Sequence, residues 1–248
     1  SYTFVSTANA VVLRGAVPVF VDIRLDTLNI DEKLIEAAIT QKTKAIFVVH
    51  YAGVICEMDE ILSIARNHSL AVEDAAQALT STYKGRPAGS IGDIGCFSFH
   101  ETKNIISGEG GALTVNNPDL VERSEIIREK GTNRKKFFKG QVDKYSWVDI
   151  GSSYLPGELI AAFLYGQLLE ISRLQKERLE AWSTYDEAIC RRSNEYNLST
   201  PRIPDNVVHN AHLYFILVEK AELQTAIIAD MKRQGITTPF HYIPLHNS

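Results

Sequence analysis

Short apolar runs alternate with helix-spaced apolar positions through the first half of the chain. Residues 17–22 (VPVFVD) read as a strand, with Pro18 near its start, where a missing N–H is tolerated. Residues 31–39 set Leu34, Ile35 and Ile39 near one face and predict a helix. The run AIFVVH at 45–50 is nearly continuous in apolar residues, as a strand buried on both faces requires. Residues 58–67 turn Ile61, Leu62, Ile64 and Ala65 inward on a second helix, and LAVED at 70–74 is the next strand. Strand, helix, strand, helix predicts an α/β fold with a mainly parallel sheet covered by helices.

Beyond Gly85-Arg86-Pro87 the rhythm changes. Residues 94–99 and 111–115 read as strands, and the loop between them carries Lys103, Gly108 and Gly110. Asn117-Pro118 has the form of an N-cap followed by proline at the first helical position, opening a helix to about Glu129, with Gly131 as its stop. Residues 131–156 are polar and irregular, and 157–193 form a long helical stretch rich in Leu, Ala, Glu and Arg. After Pro201 and Pro204 comes a compact α+β pattern: a strand at 212–218, a helix at 222–234 and a strand at 236–242. The expected organisation is a large domain over 1–156, then a connecting helix and a small α+β domain over 157–248. The opening residues, SYTFV, also read as a strand. They lack an initiator Met, so the chain is expected to be a piece of a longer polypeptide.

Composition narrows the function classes. The 26 basic and 30 acidic residues are interspersed and sum to a net charge of −4, without the basic stripe of a nucleic-acid binder. A phosphorylated ligand must then be held by local groups. The three cysteines, Cys56, Cys96 and Cys190, share no metal-ligand spacing and are odd in number, which argues against a disulfide framework or a zinc site and for a reducing compartment. No apolar run approaches the ~20 residues that span a bilayer, and the first residues have neither the basic nor the apolar part of a signal peptide. A cytoplasmic location is expected.

Two segments carry candidate chemistry. In Glu73-Asp74-Ala75-Ala76-Gln77, the carboxylate of Asp74 sits at the C-terminal end of an apolar strand, where open α/β sheets bind ligands. A carboxylate there either caps a turn or keeps a pyridine nitrogen protonated, the condition that makes such a ring an electron sink. Gln77, three residues on, is placed to face the same ligand. In Phe97-Ser98-Phe99-His100-Glu101-Thr102-Lys103-Asn104, a lysine lies in a short loop before a glycine-rich run. It is either an exposed loop residue or an amine whose pKa partial burial depresses enough to act as a nucleophile. Ser98 can donate a hydroxyl to a phosphate. Among the histidines, His50, His100, His241 and His246 are candidates to touch a substrate, while His209 and His212 read as structural. Cys96, on a buried strand, reads as inert packing.

Order and spacing combine these features into a resemblance. TFVSTANAVVLRGAVPVFVDI (3–23), VEDAAQA (72–78), GDIGCFSFHETKNIISGEGGAL (92–113) and HYIPLH (241–246) resemble the DegT/StrS group of sugar-nucleotide aminotransferases, across essentially the whole chain. The resemblance implies a fold-type I enzyme with the cofactor pyridoxal 5′-phosphate (PLP). It implies that Lys103 is the Schiff-base lysine and proton carrier, that Asp74 partners the pyridinium, that Gln77 stands by the ring hydroxyl and that Ser98 binds the phosphate. It places Phe4 against the ring face. Ser153 falls where many members have an asparagine that reaches the neighbouring subunit's phosphate, and this chain departs from the pattern there. It sets His100, His241 and His246 near the sugar or its diphosphate. It further implies a homodimer with shared active sites. L-Glutamate would be the donor and a dTDP-linked 4-keto-6-deoxyglucose the acceptor, in bacterial surface-polysaccharide synthesis.

The resemblance also implies an N-terminal segment before Ser1, with a phosphate-binding turn at a helix N-terminus, and a small domain that continues past His246. Three other readings compete with it. A sugar dehydratase of the same fold would carry histidine where Lys103 stands. A PLP-binding sensor without turnover could keep Lys103, Asp74 and Gln77 together. A dinucleotide enzyme needs a GxGxxG after an early strand, and none is present.

Overall fold

A computed structural model describes residues 2–247. The first helix, α1 (Val5–Val12), follows Phe4, which is extended and acts as its N-cap. A 3-10 turn over Glu32–Leu34, whose N-cap Asp31 accepts from the Lys33 N–H, leads into the single turn α2 (Ile35–Ala38). Then come β1 (Ala45–Val49), α3 (Met58–His68), β2 (Leu70–Asp74), the short pair β3 (Thr82–Tyr83) and β4 (Arg86–Pro87), β5 (Ile94–Ser98) and β6 (Gly111–Val115). The second half is mostly helical: α4 (Val121–Arg128), α5 (Arg134–Phe138), α6 (Glu158–Leu169), α7 (Ile171–Cys190), α8 (Ser193–Tyr196) and α9 (Ala221–Arg233), with β7 (Val207–Val208) between the last two.

The main sheet has the order β1-β2-β5-β6. β1, β2 and β5 are parallel, and β6 closes the edge antiparallel to β5. In that register Val49, Asp74 and Cys96 form one row, which puts Asp74 at the C-terminal end of an inner strand. The core lies on the helix-covered side. Met58, Ile61 and Ala65 recur on one face of α3 and pack with Ile46, Val48 and Ala71 of the sheet. A second small sheet, β4-β3-β7, joins the two halves of the sequence. No helix among the described residues is long and apolar enough to cross a membrane.

Several sequence expectations need correction. Of the opening residues read as a strand, Ser1 lies outside the described residues, 2–4 lead into α1 and Val5 begins it. Residues 17–22 are extended without a ladder, and only Ile23 bridges to Ile30. Val17, Val19 and Phe20 of that run are exposed: branched side chains favour a strand only where a partner strand is offered. The same holds for 212–218, where Leu217 alone bridges to Ser199, and for 236–242, which joins no ladder. The long helix is broken at Glu170, whose φ of −95° and ψ of 6° separate α6 from α7. The α4 signals are where the sequence put them: Asn117 accepts from the Asp119 N–H, Pro118 follows, and Gly131 has a positive φ of 74°.

Candidate functional site

Asp74 ends β2 half-buried, and its two carboxylate oxygens are addressed separately. Oδ1 accepts the Ala76 N–H at 3.1 Å, and Oδ2 accepts the Thr7 hydroxyl at 2.6 Å. Its backbone carbonyl accepts the His50 N–H at 3.1 Å. A carboxylate offers about four lone-pair positions, so acceptor capacity remains for one more donor.

The loop after β5 brings an amine to this carboxylate. The turn is closed by Lys103 N–H to the His100 carbonyl at 2.9 Å and Glu101 N–H to the Gly108 carbonyl at 3.0 Å. Lys103 is half-buried. Burial pushes its ammonium below the ordinary lysine value, against an opposing pull from Asp74. Removal of water disfavours the charged form, whereas an opposite charge favours it; at Lys103 the first outweighs the second.

Gln77 is buried and fixed at both ends. Its Oε1 accepts the Ala52 N–H at 2.7 Å, and its Nε2 donates to the Tyr242 hydroxyl at 3.2 Å. One amide N–H is left over. Tyr242 stands among Tyr2 and Tyr51, with ring centroids 5.6 and 6.3 Å away. Ser98 accepts the His100 N–H at 3.3 Å, which leaves its own O–H free to donate. His241 stacks on Tyr242 at 4.3 Å, and burial, then Lys103, hold its ring below the usual histidine range.

Other predicted residues stand apart. Phe4 is exposed and one turn ahead of Thr7. Ser153 is exposed in an isolated bridge with Glu129, among none of these groups. His246 is exposed, with Phe20 at 6.4 Å. His100 bonds Thr102 at 3.0 Å and lies 3.8 Å from Glu109. His50 has no exposure and binds Glu73 at 3.0 Å, so it is sealed away from any substrate. A groove of about 770 Å³ is lined by α7 and Arg191 just after it, including Gln175, Leu179 and Glu187, and none of the predicted site residues borders it.

Thr7, Tyr242 and Asn104 were not singled out in the sequence. Thr7 reaches Asp74 from α1, and Tyr242 reaches Gln77 from the far end of the chain. His212 and Asn104 form a pair at 2.7 Å. Because Asn104 spends its amide N–H on the Asn210 carbonyl, its oxygen is the acceptor, and the His212 Nδ1 carries the proton. Burial first, then Lys103 and Arg178, bring the His212 pKa down to about 3, so the ring is neutral. Asn210 in turn donates to the carbonyls of Gln77 and Leu79 at 2.9 and 2.7 Å, and Gly53 must be glycine because a Cβ there would strike the Asn210 oxygen. Thr7 had one local signal, its spacing of four from Thr3; the others had none.

A carboxylate at a strand end, a partly desolvated amine, a doubly tethered amide and a hydroxyl at the neighbouring strand end fit a phosphorylated pyridine aldehyde. Asp74 would take the ring nitrogen, Gln77 the ring hydroxyl and Ser98 the phosphate. Among the described residues no group of three His, Cys, Asp or Glu is placed to hold a metal ion.

This combination of sheet order and side chains has a place among known proteins. The chain belongs to the DegT/DnrJ/EryC1/StrS aminotransferase family, whose model matches residues 1–248. It is 38% identical over 98% of its length to the spore coat polysaccharide biosynthesis protein SpsC of Bacillus subtilis. It is 34% identical over 99% to the GDP-perosamine synthase of Caulobacter vibrioides. It spans 64% and 65% of the lengths of these two relatives. The structure of Spr1654 from Streptococcus pneumoniae in its PMP form superposes with a TM-score of 0.88 at 30% identity, over 98% of this chain and 67% of that one. The α/β fold is that of PLP-dependent sugar aminotransferases.

Proposed function

We propose that the protein is a PLP-dependent aminotransferase that moves an amino group from L-glutamate to the C4 ketone of a nucleotide-linked 4-keto-6-deoxy sugar. A dTDP-4-keto-6-deoxyglucose acceptor is the first candidate, and a cell-surface polysaccharide the destination. The observation that carries this reading is the half-buried Lys103 facing Asp74 at the end of an inner parallel strand. The family membership, a relative named for perosamine and another for coat polysaccharide support it. So does the PMP form of a structural neighbour.

When bound, the cofactor supplies an electron sink next to the carbon that gains or loses nitrogen. Asp74 accepts the ring N–H and keeps that proton in place. Lys103 would hold the cofactor's aldehyde carbon through its Nζ, and the same half-buried amine would serve as the proton carrier on that side of the site. Gln77 gives its spare N–H to the ring hydroxyl, and Ser98 gives its O–H to the phosphate. His241, neutral and beside Lys103, borders the substrate side; His100 and His246 are assigned to the sugar diphosphate. Phe4 covers the ring face, and Ser153 serves the cofactor phosphate of a partner subunit. A homodimer is supported by α6, which is mostly apolar and has no buried residue.

The test uses the protein expressed from its whole reading frame, mixed with PLP. A visible band that borohydride traps on Lys103, that is absent in Lys103→Ala and that L-glutamate bleaches establishes the first half-reaction. Restoration of the band by dTDP-4-keto-6-deoxyglucose, but not by GDP-4-keto-6-deoxymannose, fixes the acceptor. A Lys103-dependent band that glutamate leaves untouched identifies a non-turnover PLP protein and overturns the aminotransferase reading.

A further inference from the structure

Thr3, Thr7 and Asp74 form a one-way chain of hydrogen bonds. Thr3 is buried, and its Oγ1 lies 3.2 Å from the Thr7 Oγ1; Thr7 then lies 2.6 Å from the Asp74 Oδ2. An ionised carboxylate accepts and never donates, so the Thr7 proton points to Asp74. The Thr7 oxygen is then free to accept only, and the proton between the threonines comes from Thr3. The other carboxylate oxygen is taken by the Ala76 N–H. Donors on both oxygens, one from α1 and one from the turn after β2, fix the plane of the carboxylate while lone-pair positions remain to accept.

α1 has no buried residue of its own. Among its side chains, Thr7 alone is hydrogen-bonded across the sequence to the end of β2. Its hydroxyl is thus placed where a ring-nitrogen partner is needed, and a methyl-for-hydroxyl exchange would leave the shape of the site intact. We infer that Thr7, backed by Thr3, is a positioning residue that orients the Asp74 carboxylate toward the cofactor's ring nitrogen. This rests on the PLP reading above.

The test is the pH dependence and PLP affinity of the Lys103-linked visible band in wild type, Thr7→Val, Thr7→Ser and Thr3→Val. A hydrogen bond to a charged group is worth enough for its loss to weaken PLP binding by about tenfold. Thr7→Val is therefore expected to bind PLP about tenfold less tightly. Its band midpoint should move to higher pH, because a ring proton held less firmly opposes protonation at the Lys103 nitrogen less. Thr7→Ser should restore both values, and Thr3→Val should show a smaller change in the same direction, which covers the case of a poorly folding Thr7→Val. A Thr7→Val protein with weaker binding but an unmoved midpoint would reduce Thr7 to a tether for α1 and overturn the positioning role alone. A wild-type protein without any Lys103-dependent band would overturn the PLP reading, and this inference with it.

Discussion

Glu73 is a carboxylate with no exposed surface, and Leu159 is a leucine with 88% of its surface exposed. They mark two regions built on different terms. Glu73, on β2, accepts from His50 at 3.0 Å and from the backbone N–H groups of Gly89, Ile91 and Gly92 at 2.8, 2.7 and 2.6 Å. Burial pushes its carboxyl upward, but His50 and these N–H groups outweigh that and hold it below the ordinary range. His50 accepts the Cys56 N–H on Nδ1, so its Nε2 bears the proton given to Glu73. The sheet region buries this charge because His50 and three backbone N–H groups meet the Glu73 carboxylate there. Leu159, on α6, is apolar and bare on a helix that has no buried residue. Burial follows the availability of partners, not polarity alone.

The largest test of that contrast is Glu73→Leu. It strands the His50 ring N–H and three backbone N–H groups in the core, and breaking such a buried pair costs about 3–5 kcal/mol. Urea denaturation should show that loss, or the variant should fail to accumulate in folded form. A loss under about 1 kcal/mol would show that the network is not what holds the turn at 89–92 to β2.

The two regions also differed in how far sequence revealed them. The inner strands were legible because burial on both faces forces unbroken apolar runs, as in AIFVV of β1, and α3 because its one buried face imposes a helical period. Residues 17–22 have the same local character but no strand beside them, and the partner is not written in the segment. Asp74, Gln77, Ser98 and Lys103 were legible because each sits at a strand end or in the loop that follows. The structure sets Asp74 against Lys103 and gives Gln77 two anchors. His212, read as structural, takes its hydrogen bond and its lowered pKa from neighbours distant in sequence: Asn104, Lys103 and Arg178. Ser153 was placed by resemblance alone, and its bridge to Glu129 keeps it apart from the other site groups.

His212 supplies a second, smaller test, at the seam between the regions. In the fold it stays neutral until about pH 3, whereas an unfolded histidine takes its proton near pH 6.5. Between those values the unfolded state binds the extra proton. Its contribution is therefore full above about pH 6.5 and is lost as the pH falls toward 3. At about 1.36 kcal/mol for each tenfold change in proton affinity, the ceiling is a few kcal/mol. Replacing His212 with Asn should flatten the stability profile in that window relative to wild type, while leaving the region above it offset by a constant. Parallel wild-type and variant profiles across that window would show that the ring charges without penalty.

The smallest expected effect on the fold is the most telling about assembly. Leu159, Phe163 and Leu169 lie on α6, all exposed, and α6 contains no buried residue. A helix apolar around its circumference is stable in water only when something covers it. Exchanging Leu159 for Ser removes no internal contact of consequence, so the intrinsic stability should move by less than about 0.5 kcal/mol. The association state should move instead. Sedimentation across a dilution series should show wild type as a dimer, and Leu159→Ser dissociating at protein concentrations where wild type does not. A double change with Phe163→Ser should extend that shift. If α6 is covered within its own chain, the outcome reverses: the stability falls by the amount of a buried leucine, about 2–5 kcal/mol, and the association state stays the same. The one substitution thus separates a helix that waits for a second subunit from one that packs under its own polypeptide.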